Sequence, residues 1–255
     1  FTTPREMVQF WQQLRELSGG KPVGFKLCVG QPWQFMAIVK AMIEADNYPD
    51  FIVVDGAEGG TGAAPVEFMD NVGMPLLDGF LLVHNTLVGA GVRDKIKIGV
   101  SGKIISAFDI ARMLALGADW CNSARGFMFA VGCIQSRACH TNKCPTGVAT
   151  QDPYRQRALH IPDKAQRVYN FHKNTLKSLA AIVGAVGLKH PKDLQAYHIA
   201  RRLENGQIKL LSKFYYFTEP GVLLNLSARS DVFNQMWVMA NPDSFLANNE
   251  ALIAY

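Results

Sequence analysis

Phe51-Ile52-Val53-Val54-Asp55-Gly56-Ala57-Glu58-Gly59-Gly60-Thr61-Gly62 passes from an apolar run into a glycine-rich turn. A short apolar run closed by turn residues reads as a buried strand, and glycines at its C-terminal end let backbone approach a ligand closely. The same rhythm extends in both directions. Upstream, Met7, Val8, Trp11, Leu14 and Leu17 mark one helical face ended by Gly19-Gly20, Pro22 to Val29 reads as a strand, and Phe35, Ile38, Val39, Met42 and Ile43 mark a second helical face. Downstream, a helix is predicted over Leu76 to Ala90, a strand over Lys95 to Val100, a helix over Ala107 to Leu116, a strand over Ala118 to Asn122 and a helix over Phe127 to Ala138. Four strand-helix alternations predict a parallel sheet with crossover helices. A doubly wound sheet and a (β/α)8 TIM barrel both fit this α/β pattern. Four units cannot close eight strands, so the barrel reading expects further units upstream of Phe1. Thr3, Pro4 and Glu6 resemble a helix entry with a capping box, which also reads as the start of a fragment.

After Pro153 the rhythm changes. Asp163 to Leu188 is predicted as one long helix and Asp193 to Leu203 as another, within an extension over 154–255 that follows the 1–153 strand-helix region. The chain has 255 residues, 49% hydrophobic and 18% charged, with 26 Lys and Arg against 21 Asp and Glu. No run of Lys and Arg exceeds two, so nucleic-acid binding is not indicated. Ser178 to Leu188 is too short to span a bilayer, and membrane contact is not indicated. Five unevenly spaced cysteines argue against a secreted disulfide framework, which makes a reducing, cytoplasmic setting the expectation.

Several residues could carry chemistry. Lys26 ends an otherwise apolar strand, where barrel catalytic groups sit; the alternative is a lysine snorkelling to solvent. Gly59-Gly60-Thr61, Ser101-Gly102-Lys103 and Ser123-Ala124-Arg125-Gly126 each follow a strand. Each alone is an ordinary turn, but together they suit an anionic, phosphate-bearing cofactor held by backbone amides and the charges of Lys103 and Arg125. Cys133, Cys139 and Cys144 fall within twelve residues. Their spacing is unlike common zinc pairs, whereas a cysteine-proline ending occurs in iron–sulfur runs; a metal or cluster site and three idle thiols both remain open on spacing. Cys28 and Cys121 read as small core side chains, and His84 as a hydrogen-bonded helix histidine.

The segments KLCVG, VDGAEGGTGAAP and IGVSGKIISAFDIARMLALGADWCNSARGFMFAVGCIQSRACHTNKCPTGVATQDP resemble the FMN-binding synthase domain of the glutamate synthase family. The resemblance is strong over about Pro22 to Pro153. It implies the C-terminal half of an FMN-binding (β/α)8 barrel, with the four strands as strands five to eight. It further implies a [3Fe-4S] cluster on Cys133, Cys139 and Cys144. Lys26 would stand by the flavin and the 2-oxo acid, Gly59, Gly60 and Thr61 by the flavin, and Gly102, Lys103, Ala124, Arg125 and Gly126 at the cofactor's phosphate end. The activity implied is FMN-dependent reductive amination of 2-oxoglutarate to L-glutamate. Electrons would come through the cluster from ferredoxin or a flavoprotein subunit, and nitrogen from free ammonia, an amine or a separate glutaminase subunit. The alternatives are a related amine or amino-acid oxidoreductase, such as an N-methylglutamate synthase, and a non-catalytic metal-binding subunit. Leu27 to Gln31 departs from the serine and glutamate common after this lysine. Ala124-Arg125-Gly126 departs from the usual glycine-threonine-alanine. Whether Cys121 joins the cluster is the question left by the cysteine count.

Overall fold

The computed structural model describes residues 1–60, 64–225 and 232–250. In chain order its elements are α1 (Pro4–Leu17), β1 (Gly24–Leu27), α2 (Pro32–Ala45), β2 (Phe51–Asp55), α3 (Leu76–Gly89), β3 (Lys97–Ser101), α4 (Ala107–Ala115), β4 (Trp120–Asn122), α5 (Arg125–Val131), α6 (Pro153–Gln156), α7 (Ile161–Ala185), β5 (Ala200–Arg202), β6 (Ile208–Leu210), α8 (Leu211–Phe214) and α9 (Val232–Met239). The first four strands form one sheet in the order β1-β2-β3-β4, and β1 pairs in parallel with β2, Lys26 opposite Val53. The predicted strand-helix alternation is therefore present, with β2 spanning its predicted residues and β1, β3 and β4 shorter than the sequence pattern.

The chain divides into two compact units. The first comprises residues 1–55, 77–99 and 216–255. Its core gathers the apolar faces of α1 and α2 with alternate residues of β2: Val8, Trp11, Phe35, Met36, Val39, Met42, Ile52 and Val54 are buried. Burying a side chain such as Phe35 contributes about 2–3 kcal/mol. Trp11 stacks on Phe25 at 5.5 Å and donates its indole N–H to Asn47 Oδ1 at 3.2 Å, so its polar edge is satisfied. Asp50 accepts from the Val23 N–H at 2.7 Å and pairs with Arg15 at 3.0 Å, which fixes the entry to β1 against the entry to β2. Thr3 caps α1 through the Glu6 N–H at 3.1 Å. Glu6 also turns its carboxylate to the Thr2 N–H at 2.6 Å and the Thr2 hydroxyl at 2.9 Å.

The second unit comprises residues 56–76 and 100–215. The long helix α7 packs on α4 and α5, with Phe171 edge-on to Phe127 at 5.1 Å. Ser106 and Asp109 form a reciprocal capping box on α4.

Two expected helices differ. The helix predicted over Phe127 to Ala138 ends at Val131, because Gly132 takes φ +119° and closes it. The cysteine segment is thus irregular, with only a 3-10 turn at Cys139–Thr141. The helix predicted over Asp193 to Leu203 is absent: 3-10 turns at Pro191–Asp193 and Ala196–His198 lead into the β5-β6 hairpin, in which Ala200 faces Leu210 and Arg202 faces Ile208. Among the described residues no helix is long and apolar enough to cross a membrane.

Candidate functional site

The first unit carries Lys26. It occupies the penultimate position of β1, and its Nζ lies 2.6 Å from Asp55 Oδ2 at the end of β2. Parallel pairing at adjacent strand ends brings the two together. The Lys26 side chain is 61% exposed and that of Asp55 23%, so the ammonium reaches solvent while its carboxylate partner is more enclosed. This is an oriented cation at the C-terminal edge of a parallel strand pair, the edge where α/β folds place chemistry.

The second unit carries the glycine loops. Gly56 donates its N–H to Ser101 O at 2.8 Å, and Ala57 donates to Met74 O at 2.8 Å. Arg125, half-buried at the start of α5, donates Nη2–H to Gly59 O at 2.8 Å. That bond draws the loop after β2 and the loop after β4 together. A Cβ at Gly59 or Gly60 would meet nothing within 4 Å. No packing demand explains either glycine, and open space stands over both. Thr61 lies outside the described residues. Gly126 differs: a Cβ there would come within 2.6 Å of the Phe171 ring, so it lacks a side chain because α7 presses against it. Gly102, at φ +148°, would place a Cβ 3.0 Å from Leu76 Cβ and 3.1 Å from Glu58 Oε2. Lys103 pairs with Asp70 at 2.5 Å, so its charge is engaged within the protein. Ala124 is exposed beside Arg125.

Glu58 and Asp55 were not singled out by the sequence reading. Glu58 accepts the Leu76 N–H with both carboxylate oxygens, at 2.9 and 3.0 Å, and so joins the glycine loop to the start of α3. The available signal was weak: an acid among glycines, with a partner 18 residues away.

Around Gly59 the structure brings together an open glycine pair and a guanidinium held in place at Gly59 O, a chemistry that an anionic group could use. The cysteine segment fits a cluster in its chemistry but not in its placement. Cys144 is buried, while Cys133 and Cys139 are half-buried, and all three are free thiols. Among the described residues no group of three or more His, Cys, Asp or Glu side chains is placed to hold a metal ion. Cys144 nevertheless ionises more readily than an ordinary thiol. Burial opposes its ionisation, but the Thr146 hydroxyl at 3.5 Å and the backbone N–H groups of Ala149, Thr146 and Val148 prevail and lower it to about 7. Cys121 is the opposite case. Burial first, and the negative charge of Asp109 second, push it up to about 12, and its sulfur faces Ile110 O at 4.0 Å. Cys28 is exposed rather than a core residue, because exposure alternates here and places it on the side of Lys26 while Val29 is buried. His84 accepts from Arg93 Nε at 3.4 Å, as expected of a satisfied helix histidine.

The family model described as a conserved region in glutamate synthase matches residues 1–189. The chain is 43% identical over 208 residues to the glutamate synthase large subunit-like protein YerD of Bacillus subtilis, covering 82% of this chain and 39% of that protein. It is 32% identical over 194 residues to the archaeal glutamate synthase [NADPH] of Archaeoglobus fulgidus, covering 75% of this chain and 37% of the relative. It is also 32% identical over 160 residues to the ferredoxin-dependent glutamate synthase 1 of Arabidopsis thaliana, covering 59% and 10%. The chain spans about two fifths of the length of the first two relatives. With the family match extending over most of its residues, this chain belongs to the glutamate synthase family.

Proposed function

We propose that the protein is a glutamate synthase-like oxidoreductase that aminates 2-oxoglutarate reductively to L-glutamate at an FMN site. In this reading residues 1–153 form the C-terminal half of a (β/α)8 barrel and residues 154–255 a C-terminal extension. The sequential strand order β1-β2-β3-β4 supports the barrel, since a doubly wound sheet reverses its order at a switch point. Ammonia and the 2-oxo group condense with loss of water to an imine. The chemistry FMN supplies when bound is hydride donation to the imine carbon, with a proton completing the amine.

The chain's residues bind and orient. Lys26 offers its ammonium to the substrate carboxylate or to negative charge on the reduced flavin, while Asp55 holds the lysine in position. Gly59, Gly60 and Thr61 let the backbone approach the flavin. Gly102, Ala124, Arg125 and Gly126 form the phosphate end, with Arg125 fixed by Gly59 O; Lys103, braced on Asp70, lies in the same loop as Gly102. Cys133, Cys139 and Cys144 are the ligands proposed for a [3Fe-4S] cluster fed by ferredoxin or a flavoprotein subunit. Among the described residues the three thiols are not gathered into one group.

The observation that carries the reading is the Lys26 ammonium held at the C-terminal edge of β1 by Asp55. The test is an anaerobic assay of the complete protein with FMN, a chemical reductant, 2-oxoglutarate and either ammonia or methylamine. Formation of L-glutamate from ammonia supports the proposal. N-methylglutamate from methylamine, with no reaction of ammonia, replaces it with the related amine chemistry, and no product from either overturns it.

A further inference from the structure

The modest net charge of +5 conceals a steep partition. Residues 154–215 hold twelve Lys and Arg against three Asp and Glu, whereas the rest of the chain holds fourteen against eighteen. All of residues 154–215 are described and lie in the second unit. Ten of the twelve cations are exposed: Arg157, Arg167, Lys173, Lys177, Lys189, Lys192, Arg201, Arg202, Lys209 and Lys213. The two half-buried ones, Arg155 and Lys164, are those paired with carboxylates, Asp152 and Asp163. Among the described residues, none of the ten exposed cations has an ion-pair partner. Like charges are even set opposite each other, with Arg201 facing Lys209 across the β5-β6 hairpin. Such pairs destabilise a hairpin. A surface that keeps its charge at the expense of its own stability is built for an opposite charge from outside.

We infer that the exposed face of α7 and the β5-β6 hairpin form a docking surface for a second protein that presents an acidic, carboxylate-rich face. Tyr154, Tyr169 and Tyr197 are exposed among the cations, and Tyr and Arg, here Arg157, Arg167, Arg201 and Arg202, are side chains enriched at protein-protein contacts. Nucleic acid is disfavoured by the same residues. Single strands stack their bases on open aromatic faces, but Arg157 lies over Tyr154 at 5.6 Å, Lys173 over Tyr169 at 5.7 Å and Arg201 over Phe214 at 4.7 Å. An anionic membrane is the competing occupant that the vesicle arm of the test separates, since Ile161, Tyr169 and Leu176 of α7 are exposed beside the cations. The inference concerns binding and is independent of the proposed chemistry.

The test measures binding of fluorescent poly-L-glutamate to the complete protein and to two triple variants of equal charge change. One is Lys173→Gln/Arg201→Gln/Lys209→Gln; the other is Lys21→Gln/Lys95→Gln/Lys97→Gln in the first unit. Circular dichroism confirms that both are folded. The expected result is a loss of about tenfold or more in the first variant and less than about twofold in the second, with binding weakening as salt screens the charges. Duplex DNA and phosphatidylserine vesicles, offered at equal charge concentration, should bind more weakly than poly-L-glutamate. Equal losses in the two variants, or tighter binding of either DNA or the vesicles, would overturn the inference.

Discussion

Lys26 Nζ stands 2.6 Å from Asp55 Oδ2, so the cation at the end of β1 is aimed by the acid at the end of β2. The pair reaches solvent through the lysine, and exposed pairs contribute only about 0–1 kcal/mol to stability. Its value therefore lies in orientation. Asp55→Asn should leave the urea midpoint nearly unchanged yet lower kcat/KM for 2-oxoglutarate about tenfold, equivalent to about 1.4 kcal/mol of transition-state stabilisation. Steady-state kinetics beside a denaturation curve separate the two effects. Unchanged kinetics would mean that Asp55 does not aim the lysine.

Two glycines in the segments that follow β2 and β4 should respond in opposite ways. Gly126→Ala drives a Cβ to 2.6 Å from the Phe171 ring, and overpacking of this kind costs about 1–3 kcal/mol. Gly59→Ala meets nothing within 4 Å and should leave stability within about 1 kcal/mol of the parent. If open space over Gly59 admits the flavin, that variant should weaken FMN binding at least tenfold, read by quenching of flavin fluorescence. A Gly59→Ala protein that binds FMN normally would remove the loop from the cofactor site.

Iron binding should single out three of the five cysteines. Cys133→Ser, Cys139→Ser and Cys144→Ser should each lose reconstituted iron and its visible absorbance. Cys121→Ser should keep both, because burial and Asp109 hold Cys121 as a protonated thiol. Iron content per chain after anaerobic reconstitution checks this. Loss of iron in Cys121→Ser would make Cys121 a fourth ligand.

The α4 cap gives a pH signature. Burial opposes the charge on Asp109, but hydrogen bonds from the Ser106 N–H at 2.9 Å, the Ser106 hydroxyl at 2.8 Å and the Ile105 N–H at 3.3 Å, with help from Arg112, hold its carboxyl below the usual range. A carboxylate depressed in the folded state stabilises fully above its unfolded pKa, about 3.9. That contribution is lost as pH falls through the lower folded value. Asp109→Asn should therefore destabilise the protein by about 1 kcal/mol at pH 7 and flatten its stability curve below pH 4. A variant retaining the full acid slope would show that other groups, such as Asp50, carry it.

Much of this architecture was legible in the sequence because local periodicity and tertiary burial agree. In β2 the alternating burial of Ile52 and Val54 matches the apolar run, and α7 ends within three residues of its predicted limit. The hairpin was missed although Asn205-Gly206 is a strong turn signal: Gly206 takes φ +81° and Leu203 donates its N–H to Gln207 O across it at 2.8 Å. The Lys26, Gly59 and Arg125 positions could be read from their places after strands. The acids Asp55, Asp70 and Glu58, which engage Lys26, Lys103 and the Leu76 N–H, could not, because those contacts join residues far apart in the chain. The charge partition was hidden for a different reason, since opposite imbalances cancel in a total.

The most direct test of the central claim is Lys26→Met, assayed anaerobically with reduced FMN, ammonia and 2-oxoglutarate beside a measurement of FMN binding. The lysine is exposed, so the variant should fold. Glutamate formation should fall at least a hundredfold while the FMN dissociation constant changes less than about threefold, since a lost charge contact in the transition state removes roughly 3 kcal/mol. Full glutamate formation in the Lys26→Met protein would contradict the account.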